Sequence, residues 1–310
     1  MHTVVIVNPR SAGGKTERNW PRMREVIHEQ YGAFEHRFTE GPGDATHKAR
    51  EALEAGADLV VALGGDGSIN EVANGFFSAA KEKCKPEAAL GILPAGTGGD
   101  FIRTLGVPRD LGEAAAHLKN AKIRTIDVGR LAFTEKSGAP LAQTRHFVNI
   151  ASFGIAGLVD EYVNKSSKSL GGKVSFALAT LKAGAVYKNA NVRITLDSAP
   201  PREGRIYNVA VANGRYFGGG MKVAPDAALD DGYFDVVTLG NFGFGDLLFR
   251  GLDIYSGKHL SNPKVMVHRA RRIDAEALED VVVLLDVDGE QPGQLPAQFE
   301  LLPNALRVKA

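Results

Sequence analysis

The sequence is poor in cysteine, in net charge and in long apolar runs, and each shortage excludes a class of protein. Cys84 is the only cysteine among 310 residues, so an internal disulfide and a structural zinc site built on thiolates are both excluded. A single unpaired thiol indicates a reducing compartment, and we expect the protein in the cytoplasm.

Basic and acidic residues nearly cancel, with 37 of the first kind against 36 of the second. Such a chain has no overall field that would attract nucleic acid or an anionic membrane, so we expect no nucleic-acid partner and only local membrane contact. No apolar run approaches the roughly 20 residues of a membrane-spanning helix. The start MHTVVIVNPR also lacks the basic and apolar regions of a secretion signal.

The stretch 58–76, DLVVALGGDGSINEVANGF, contains a strand, a glycine turn and a helix in direct succession. Residues 59–63 form an apolar, β-branched run that is typical of a buried strand, and we expect Ser68 to cap the helix that follows. Free N–H groups at such a turn bind phosphate, but the Asp66 carboxylate would repel it unless a cation lay between them. Two interpretations of the turn stay open: Mg²⁺–nucleotide chemistry, or a tight turn with a solvated aspartate.

Strands and helices alternate through residue 120, which predicts a parallel, doubly wound α/β sheet. The expected strands cover 3–7, 35–38, 59–63 and 89–93, and the expected helices begin at 16 or 17 and at 44. Polar or glycine-rich loops at Asn8, Gly64 and Gly96 each follow one of these strands. Because the carboxyl ends of parallel strands lie at one edge of a sheet, we expect the three loops to meet there.

Past residue 126 short, often alternating apolar segments predict an antiparallel β-sandwich or an open barrel. The expected strands are 146–151, 192–196, 207–212, 234–239, 264–268 and 281–287. Segments 155–187 and 243–255 interrupt them. The basic part of the first, 165–188, either docks on an anionic bilayer or covers a sheet while its lysines face water, and the two readings are compatible.

Five separated motifs together resemble the diacylglycerol-kinase-type lipid kinases, the soluble bacterial lipid kinases in particular and, more distantly, sphingosine and ceramide kinases. The motifs are NPRSAGG at 8–14, GGDGSINEVANG at 64–75, PAGTGGDF at 94–101, FGGGMKVAPDAALDDGYFDV at 217–236 and DGE at 288–290. Phosphofructokinases and NAD kinases carry a turn similar to GGDG, and the last two motifs separate the lipid kinases from them. The resemblance covers essentially the whole chain.

The resemblance implies a three-layer α/β domain like that of NAD kinase and phosphofructokinase, followed by an antiparallel β-sandwich domain. It implies an ATP-binding domain at 1–125, to which residues 296–310 return, and a lipid-binding domain at 126–295. The ATP-binding positions carried over from the family are Asn8, Pro9, Arg10, Ser11, Ala12, Thr39, Gly64, Gly65, Asp66, Gly67, Ser68, Ile69, Asn70, Glu71 and Thr97.

An acidic catalytic pair and a metal site are also implied by the resemblance. Glu290 is our choice for the base that takes the proton of the substrate hydroxyl, with Asp288 as its orienter or rival. Asp66 is expected to orient metal-bound water. A structural Mg²⁺, distinct from the one that accompanies ATP, is implied at Asp231 with backbone carbonyls of Ala228 and Tyr233. From the residues alone, a plain turn is the favoured description of Asp231, and it describes DGE at least as well as a catalytic pair does.

Three positions depart from the family pattern. Ser68 replaces the usual threonine and keeps the hydroxyl, Ala12 replaces a glycine, and Gly99 replaces an asparagine. The lost amide beside Asp100 leaves two outcomes open: nucleotide binding through backbone contacts, or weaker binding.

We therefore predict an ATP- and Mg²⁺-dependent kinase that phosphorylates a lipid hydroxyl, with diacylglycerol as the preferred acceptor and phosphatidic acid as the product. The enzymatic alternative is an NAD kinase or sugar-phosphate kinase, and the third hypothesis is a nucleotide- or lipid-binding protein that has lost catalysis. Peripheral contact with the inner membrane surface would give access to the lipid. The acceptor, the choice between Glu290 and Asp288, and the oligomeric state stay open, with a homodimer as one alternative.

Overall fold

The computed structural model describes residues 1–77, 85–96, 98–135, 140–165, 179–180, 182–184, 186–243, 245–246 and 251–310. The chain forms two compact units, Met1–Ile126 together with Asn304–Ala310, and Asp127–Pro303. Thr97 of the predicted ATP-binding set lies outside the described residues, as does most of the basic segment 165–188.

A parallel sheet forms the centre of the first unit. Its strands are β1 (Thr3–Val7), β2 (Glu35–Phe38), β3 (Leu59–Gly64) and β4 (Ala89–Pro94), in the order β2-β1-β3-β4. The last residues of the long strand Gln294–Lys309 pair in parallel with β4, with Val308 opposite Leu90. β1, β3 and β4 are buried along almost their whole length, which explains their continuous apolar sequences.

Helices follow the strands of this sheet. They are α1 (Ser11–Gln30), α2 (Asp44–Glu54), α3 (Asp66–Gly75), α4 (Asp100–Leu105) and α5 (Leu111–Asn120). α1 packs against α5, and α2 packs against α3. The second contact is close because a Cβ on Gly75 would lie 2.6 Å from the Cβ of Ala49. The unit is the doubly wound α/β domain that the sequence predicts.

Two antiparallel sheets form the second unit. The first contains β5 (Ile123–Thr134), β6 (Gln143–Phe147), β8 (Ala190–Leu196), β9 (Arg202–Ile206), β13 (Arg272–Ala277) and β15 (Gln294–Lys309). The second contains β7 (Ile150–Gly154), β10 (Asn208–Ala212), β11 (Phe234–Leu239), β12 (Val265–Ala270) and β14 (Leu285–Val287), in the order β12-β11-β10-β7-β14.

The facing surfaces of these two sheets enclose an aromatic core. Phe147 stacks on Phe234 with ring centroids 5.5 Å apart, and Phe153 stacks on Phe299 at 5.9 Å. The two rings of each pair come from different sheets, and all four side chains are fully buried. The unit is therefore a β-sandwich, which confirms the predicted class of the second domain.

The outer face of the five-stranded sheet is covered by α6 (Ile155–Lys165), whose Ile155 and Val159 belong to a second apolar cluster with Ala210 and Val237. The short helix α7 (Asp253–Ser256) precedes a 3₁₀ turn at Lys258–Ser261. Of the helices that the structure describes, none is both long and apolar enough to cross a bilayer.

Several strands of the second unit differ from the predicted ones. The predicted strand 146–151 is divided between β6 and β7, because the backbone N–H groups of residues 148–150 bond to the Asp288 carboxylate. The predicted strand 281–287 is reduced to β14, and Val282 is 61% exposed. The sequence pattern did not predict β5, β9, β13 or β15.

Candidate active site

The three loops that follow β1, β3 and β4 lie together at one edge of the parallel sheet, as their sequence positions predict. The N–H of Asn8 donates to the Leu63 carbonyl at 3.0 Å, and the N–H of Ala95 donates to the Gly64 carbonyl at 3.0 Å. On the other side, the N–H of Thr39 donates to the Val7 carbonyl at 2.9 Å. These bonds continue the strand pairing past the strand ends, so the loops leave the sheet from neighbouring positions.

Asn8 joins the first loop to α3. Its Nδ2 donates to Ser68 Oγ at 2.8 Å, while its Oδ1 accepts the Arg10 N–H at 3.0 Å. The hydroxyl of Ser11 donates to the Asn8 carbonyl at 2.8 Å. Ala12 follows with φ 52°, in the left-handed region where the glycine usual in the family has no Cβ penalty.

Ser68 does not cap α3, which corrects the sequence-based prediction. The helix begins at Asp66 with Gly65 as its N-cap residue, and Ser68 lies in the first turn. The Ser68 hydroxyl is bonded to Asn8 instead, and a Cβ on Gly64 would lie 2.4 Å from it. The helix therefore starts without a side-chain cap, and the Ser68 hydroxyl instead attaches the first loop to the helix.

Asp66 attaches the loop after β4 to the glycine turn. Its Oδ2 accepts the N–H of Gly99 at 2.7 Å and that of Asp100 at 3.2 Å, and its Oδ1 accepts the N–H of Phe101 at 3.2 Å. Three backbone donors thus stabilise the carboxylate, in the manner of a helix N-terminal cap supplied from another element. The Asp66 carboxylate is therefore not simply a solvated turn group.

A cavity of about 130 Å³ lies between the glycine turn and this loop. It is lined by Gly64, Gly65, Ile69, Pro94, Gly96, Gly98, Gly99, Ile102 and Arg109. The backbones of Gly65 and Gly96 are in close contact, because a Cβ on Gly96 would lie 2.9 Å from the Cα of Gly65. Gly98 and Gly99 belong to the motif PAGTGGDF, whereas no local pattern marks Arg109, and sequence reasoning missed it.

Asn70 and Glu71, from the predicted ATP-binding set, are engaged in packing within the unit. Asn70 is fully buried, and its side-chain oxygen accepts from Asn74 at 3.2 Å. The Glu71 carboxylate accepts the Ala45 N–H at 3.2 Å, and its backbone carbonyl accepts the Thr46 hydroxyl at 2.8 Å. The Glu71 bonds connect α3 to the start of α2, whereas the Asn70 bond lies within α3.

The acidic turn DGE follows β14 in the second unit. Asp288 is buried, has φ 50°, and accepts backbone N–H bonds from Val148, Asn149 and Ile150 at 3.0, 3.2 and 2.8 Å. Its carboxylate therefore holds the bend between β6 and β7. The Glu290 carboxylate is instead 37% exposed and forms an ion pair with Arg145 of β6. The structure thus gives the two acidic groups different environments.

The predicted metal ligand Asp231 lies in the turn before β11. One carboxylate oxygen forms an ion pair with Arg269, and the other accepts the Tyr233 N–H at 3.1 Å. The Arg269 guanidinium lies over the Tyr233 ring, 4.7 Å from its centroid. Burial raises the pKa of the nearby Asp235 carboxyl above its ordinary value, and the negative charge of Asp231 contributes in the same direction.

Comparison with known proteins finds one family-model match for each of the two units. Residues 2–131 match the diacylglycerol kinase catalytic domain, and residues 149–310 match the YegS C-terminal NAD kinase beta sandwich-like domain. The diacylglycerol kinase of Staphylococcus epidermidis is 32% identical over 271 residues, which are 87% of this chain and 79% of that protein. The diacylglycerol kinase of Bacillus subtilis is 30% identical over 305 residues, which are 98% and 94% of the two chains.

Solved structures lead to the same family. A crystal structure of a diacylglycerol kinase from Bacillus anthracis has a TM-score of 0.70 at 26% identity, covering 99% of this chain and 96% of the other. Yeast NADH kinase has a TM-score of 0.52 at 12% identity, covering 99% and 82%, and this likeness concerns the fold alone. The chain therefore belongs to the diacylglycerol kinase family, whose members are phosphotransferases that act on an alcohol group.

Proposed function

We propose that this chain transfers the γ-phosphoryl group of ATP to the free hydroxyl of diacylglycerol and so produces phosphatidic acid. The observation that carries the proposal is the glycine-lined cavity between the loops that follow β3 and β4, with the loop after β1 leaving the same edge of the sheet. Glycine backbones allow close approach of a phosphate group. Membership of the diacylglycerol kinase family indicates that the acceptor is an alcohol group. The α/β unit is the proposed ATP-binding domain, and the sandwich is the proposed lipid-binding domain.

The proposed nucleotide site consists of the loop residues that the family resemblance implies. The first loop and the start of α3 would receive the phosphates, because the N-terminus of a helix favours an anion. Thr39, after β2, and Thr97, after β4, would complete the site. ATP would enter as its Mg²⁺ complex, in which the ion offsets phosphate charge.

Asp66 has a positioning role in this proposal. Its three bonds to the N–H groups of residues 99–101 hold the loop after β4 against the glycine turn. A displaced loop would change the shape of the cavity, and phosphoryl transfer depends mainly on positioning and charge stabilisation. Its predicted contact with metal-bound water stays a prediction.

Glu290 is the proposed base. Asp288 is buried with three backbone N–H groups on its carboxylate, so proton uptake there would weaken the bonds that hold residues 148–150. Glu290 is more exposed, and its ion pair with Arg145 fixes the carboxylate in one direction. Glu290 would take the proton of the acceptor hydroxyl, while Asp288 orients the turn that carries it.

The donor set proposed for structural Mg²⁺ fits a hard cation in its chemistry, since Asp231 offers a carboxylate and Ala228 and Tyr233 offer backbone carbonyls. Arg269 already contributes a positive charge to the same carboxylate. A bound ion would therefore share Asp231 with this guanidinium, and its role would be to hold the turn before β11. No step of the transfer depends on it.

Access to the lipid requires contact with a membrane surface, and we propose the basic segment 165–188 for this contact. Lys182 and Lys188 are its exposed lysines among the described residues. Lys182 also lies over the Tyr162 ring, 4.8 Å from the centroid, which places an aromatic group beside the positive charge. Such a combination suits the interface of an anionic bilayer.

The test is transfer of label from γ-labelled ATP to mixed micelles of diacylglycerol, phosphatidylglycerol and sphingosine, with and without Mg²⁺, beside NAD and sugar phosphates in solution. We expect Mg²⁺-dependent labelling of diacylglycerol alone. Glu290→Gln should lower kcat roughly a hundred- to ten-thousandfold with little change in KM for ATP.

Glu300→Gln is the matched control, because Glu300 also forms an ion pair with an arginine, Arg130, on the sandwich. It should retain full activity. Labelling of a soluble acceptor in place of the lipids would favour the NAD kinase or sugar-phosphate kinase alternative. ATP binding without transfer to any acceptor would favour a protein that has lost catalysis.

A further inference from the structure

Arg109 is the one basic side chain among the described residues that line the glycine cavity. Its Nη2 donates to the carbonyl of Gly98 at 3.3 Å and lies 3.7 Å from the position of a Cβ on Gly99. The side chain is otherwise exposed. A guanidinium has five N–H donors, so the bond to Gly98 leaves others for a ligand in the cavity.

The backbone that carries Arg109 is held by the helix that follows. Asp110 is the N-cap residue of α5, and its Oδ1 accepts the N–H groups of Gly112 and Glu113 at 2.9 and 3.0 Å. α5 in turn packs on β4, where a Cβ on Gly91 would lie 3.0 Å from Leu118 Cδ1. The arginine therefore extends toward the cavity from the loop before α5, a helix that is itself packed on the sheet.

Arg109 and Asp66 bind opposite ends of the same peptide group. The N–H of Gly99 donates to Asp66 Oδ2 at 2.7 Å, and the carbonyl of Gly98, in the same peptide, accepts from Arg109. The peptide thus lies between an anion and a cation that both favour its observed orientation. A ligand that binds the guanidinium would therefore contact a loop that Asp66 already attaches to the glycine turn.

The chemistry of the cavity favours a phosphate group. Its lining is glycine backbone with Ile69, Pro94 and Ile102, and Arg109 supplies the positive charge. The nearby Asp66 carboxylate is already compensated by three backbone N–H groups. A guanidinium binds phosphate oxygens through two parallel N–H bonds, and a volume of about 130 Å³ suits a phosphate group better than a whole nucleotide.

We propose that Arg109 is a further nucleotide-binding residue, which holds a phosphate group of ATP in this cavity while it keeps the 98–99 peptide turned toward Asp66. The inference rests on the proposed function, since it takes the ligand to be a nucleoside triphosphate. It extends the binding set beyond the residues that the family resemblance implies.

The test compares Arg109→Gln with Arg124→Gln in titration calorimetry with ATP and with adenosine. Glutamine keeps a side-chain N–H donor but has no charge. Arg124 is a matched control, because it is an exposed arginine of the same unit that donates to a backbone carbonyl, that of Leu105 at 3.5 Å, away from the cavity lining. We expect R109Q to weaken ATP binding about ten- to hundredfold and leave adenosine binding and the unfolding midpoint unchanged.

The outcomes separate this inference from the proposed function. Equal ATP affinity of R109Q and the wild type overturns the role of Arg109 alone. Equal weakening of ATP and adenosine, or a lowered unfolding midpoint in R109Q but not in R124Q, overturns the assignment to phosphate. A wild-type protein that binds no ATP overturns the proposed function itself, and the inference with it.

Discussion

At the scale of single residues, the candidate site depends on places where a side chain is missing. A Cβ on Gly98 would lie 2.6 Å from Asp66 Oδ2, and one on Gly96 would lie against the backbone of Gly65. Neither contact leaves room for a methyl group. The two loops can therefore approach each other only because both are built from glycine.

Gly96→Ala should separate the loops. The added methyl would lie 2.9 Å from the Cα and 3.2 Å from the nitrogen of Gly65, and backbone atoms cannot move aside as a flexible side chain can. We expect a loss of about 1–3 kcal/mol in the free energy of unfolding and weaker ATP binding, measured by urea titration and calorimetry. Gly41→Ala is the control, because no heavy atom lies within 4 Å of its Cβ position. Equal behaviour of the two variants would contradict the argument.

The departures from the family pattern are also residue effects. Gly99 has φ 98°, and asparagine, the usual residue there, is among the side chains most often found at positive φ. In this structure a Cβ at position 99 would lie 2.9 Å from Ile102 Cδ1, so glycine fits the position without strain, although it lacks the amide. Ala12, with φ 52°, occupies a left-handed position at a cost of about 1 kcal/mol that glycine would not incur.

At the scale of elements, carboxylates connect segments that are distant in the chain. Asp66 begins α3 and bonds to the start of α4, while Asp288 follows β14 and bonds to the turn between β6 and β7. In each case a single side chain satisfies several backbone N–H groups that would otherwise lack a partner within their own element. The loops are therefore part of the packed structure.

Asp66→Asn should destabilise the junction of α3 and α4. The amide keeps one acceptor oxygen for three N–H donors and removes the charge, so we expect a loss of roughly 1.5–3 kcal/mol in the free energy of unfolding, together with weaker ATP binding. Asp110→Asn is the control, because asparagine caps a helix about as well as aspartate. Urea titration of both variants checks the prediction, and an Asp66→Asn protein as stable as Asp110→Asn would contradict it.

At the scale of the whole molecule, the chain crosses between its two units more than once. Residues Asn304–Ala310 return to the first unit, where Val308 is fully buried and Lys309 Nζ donates to the carbonyl of Ala121 at 2.7 Å. The same strand, β15, pairs with β13 of the sandwich through Phe299 and Ile273. Local sequence pattern does not indicate which sheet each part of such a strand joins.

Stability against pH is also a property of the whole chain. His146 is buried in β6, and burial together with the positive charge of Arg130 lowers its pKa from 6.5 to about 4. In the unfolded chain the His146 imidazole binds a proton below pH 6.5, whereas in the folded chain it does so only near pH 4. The folded state therefore has its full stability above pH 6.5 and loses on the order of 3 kcal/mol as the pH falls from 6.5 to 4.

His146→Asn should reduce this dependence. Urea titration followed by circular dichroism at pH 7 and pH 4.5 would measure the difference, and the variant should lose less stability over this interval than the wild type. His28→Asn, at an exposed position of α1, is the control and should follow the wild type. An unchanged slope in the His146 variant would contradict the assignment.

The sequence by itself determined the fold class, the glycine loops and their meeting at one sheet edge, because strand periodicity and turn chemistry are local properties. Ser68, the divided strand β6–β7 and Arg109 required the tertiary structure. The Asp66 carboxylate bonds to groups 33–35 residues away, and Asp288 to groups 138–140 residues away. Such partners are decided only when the chain folds, because local sequence propensities carry no information about which distant segments packing brings into contact.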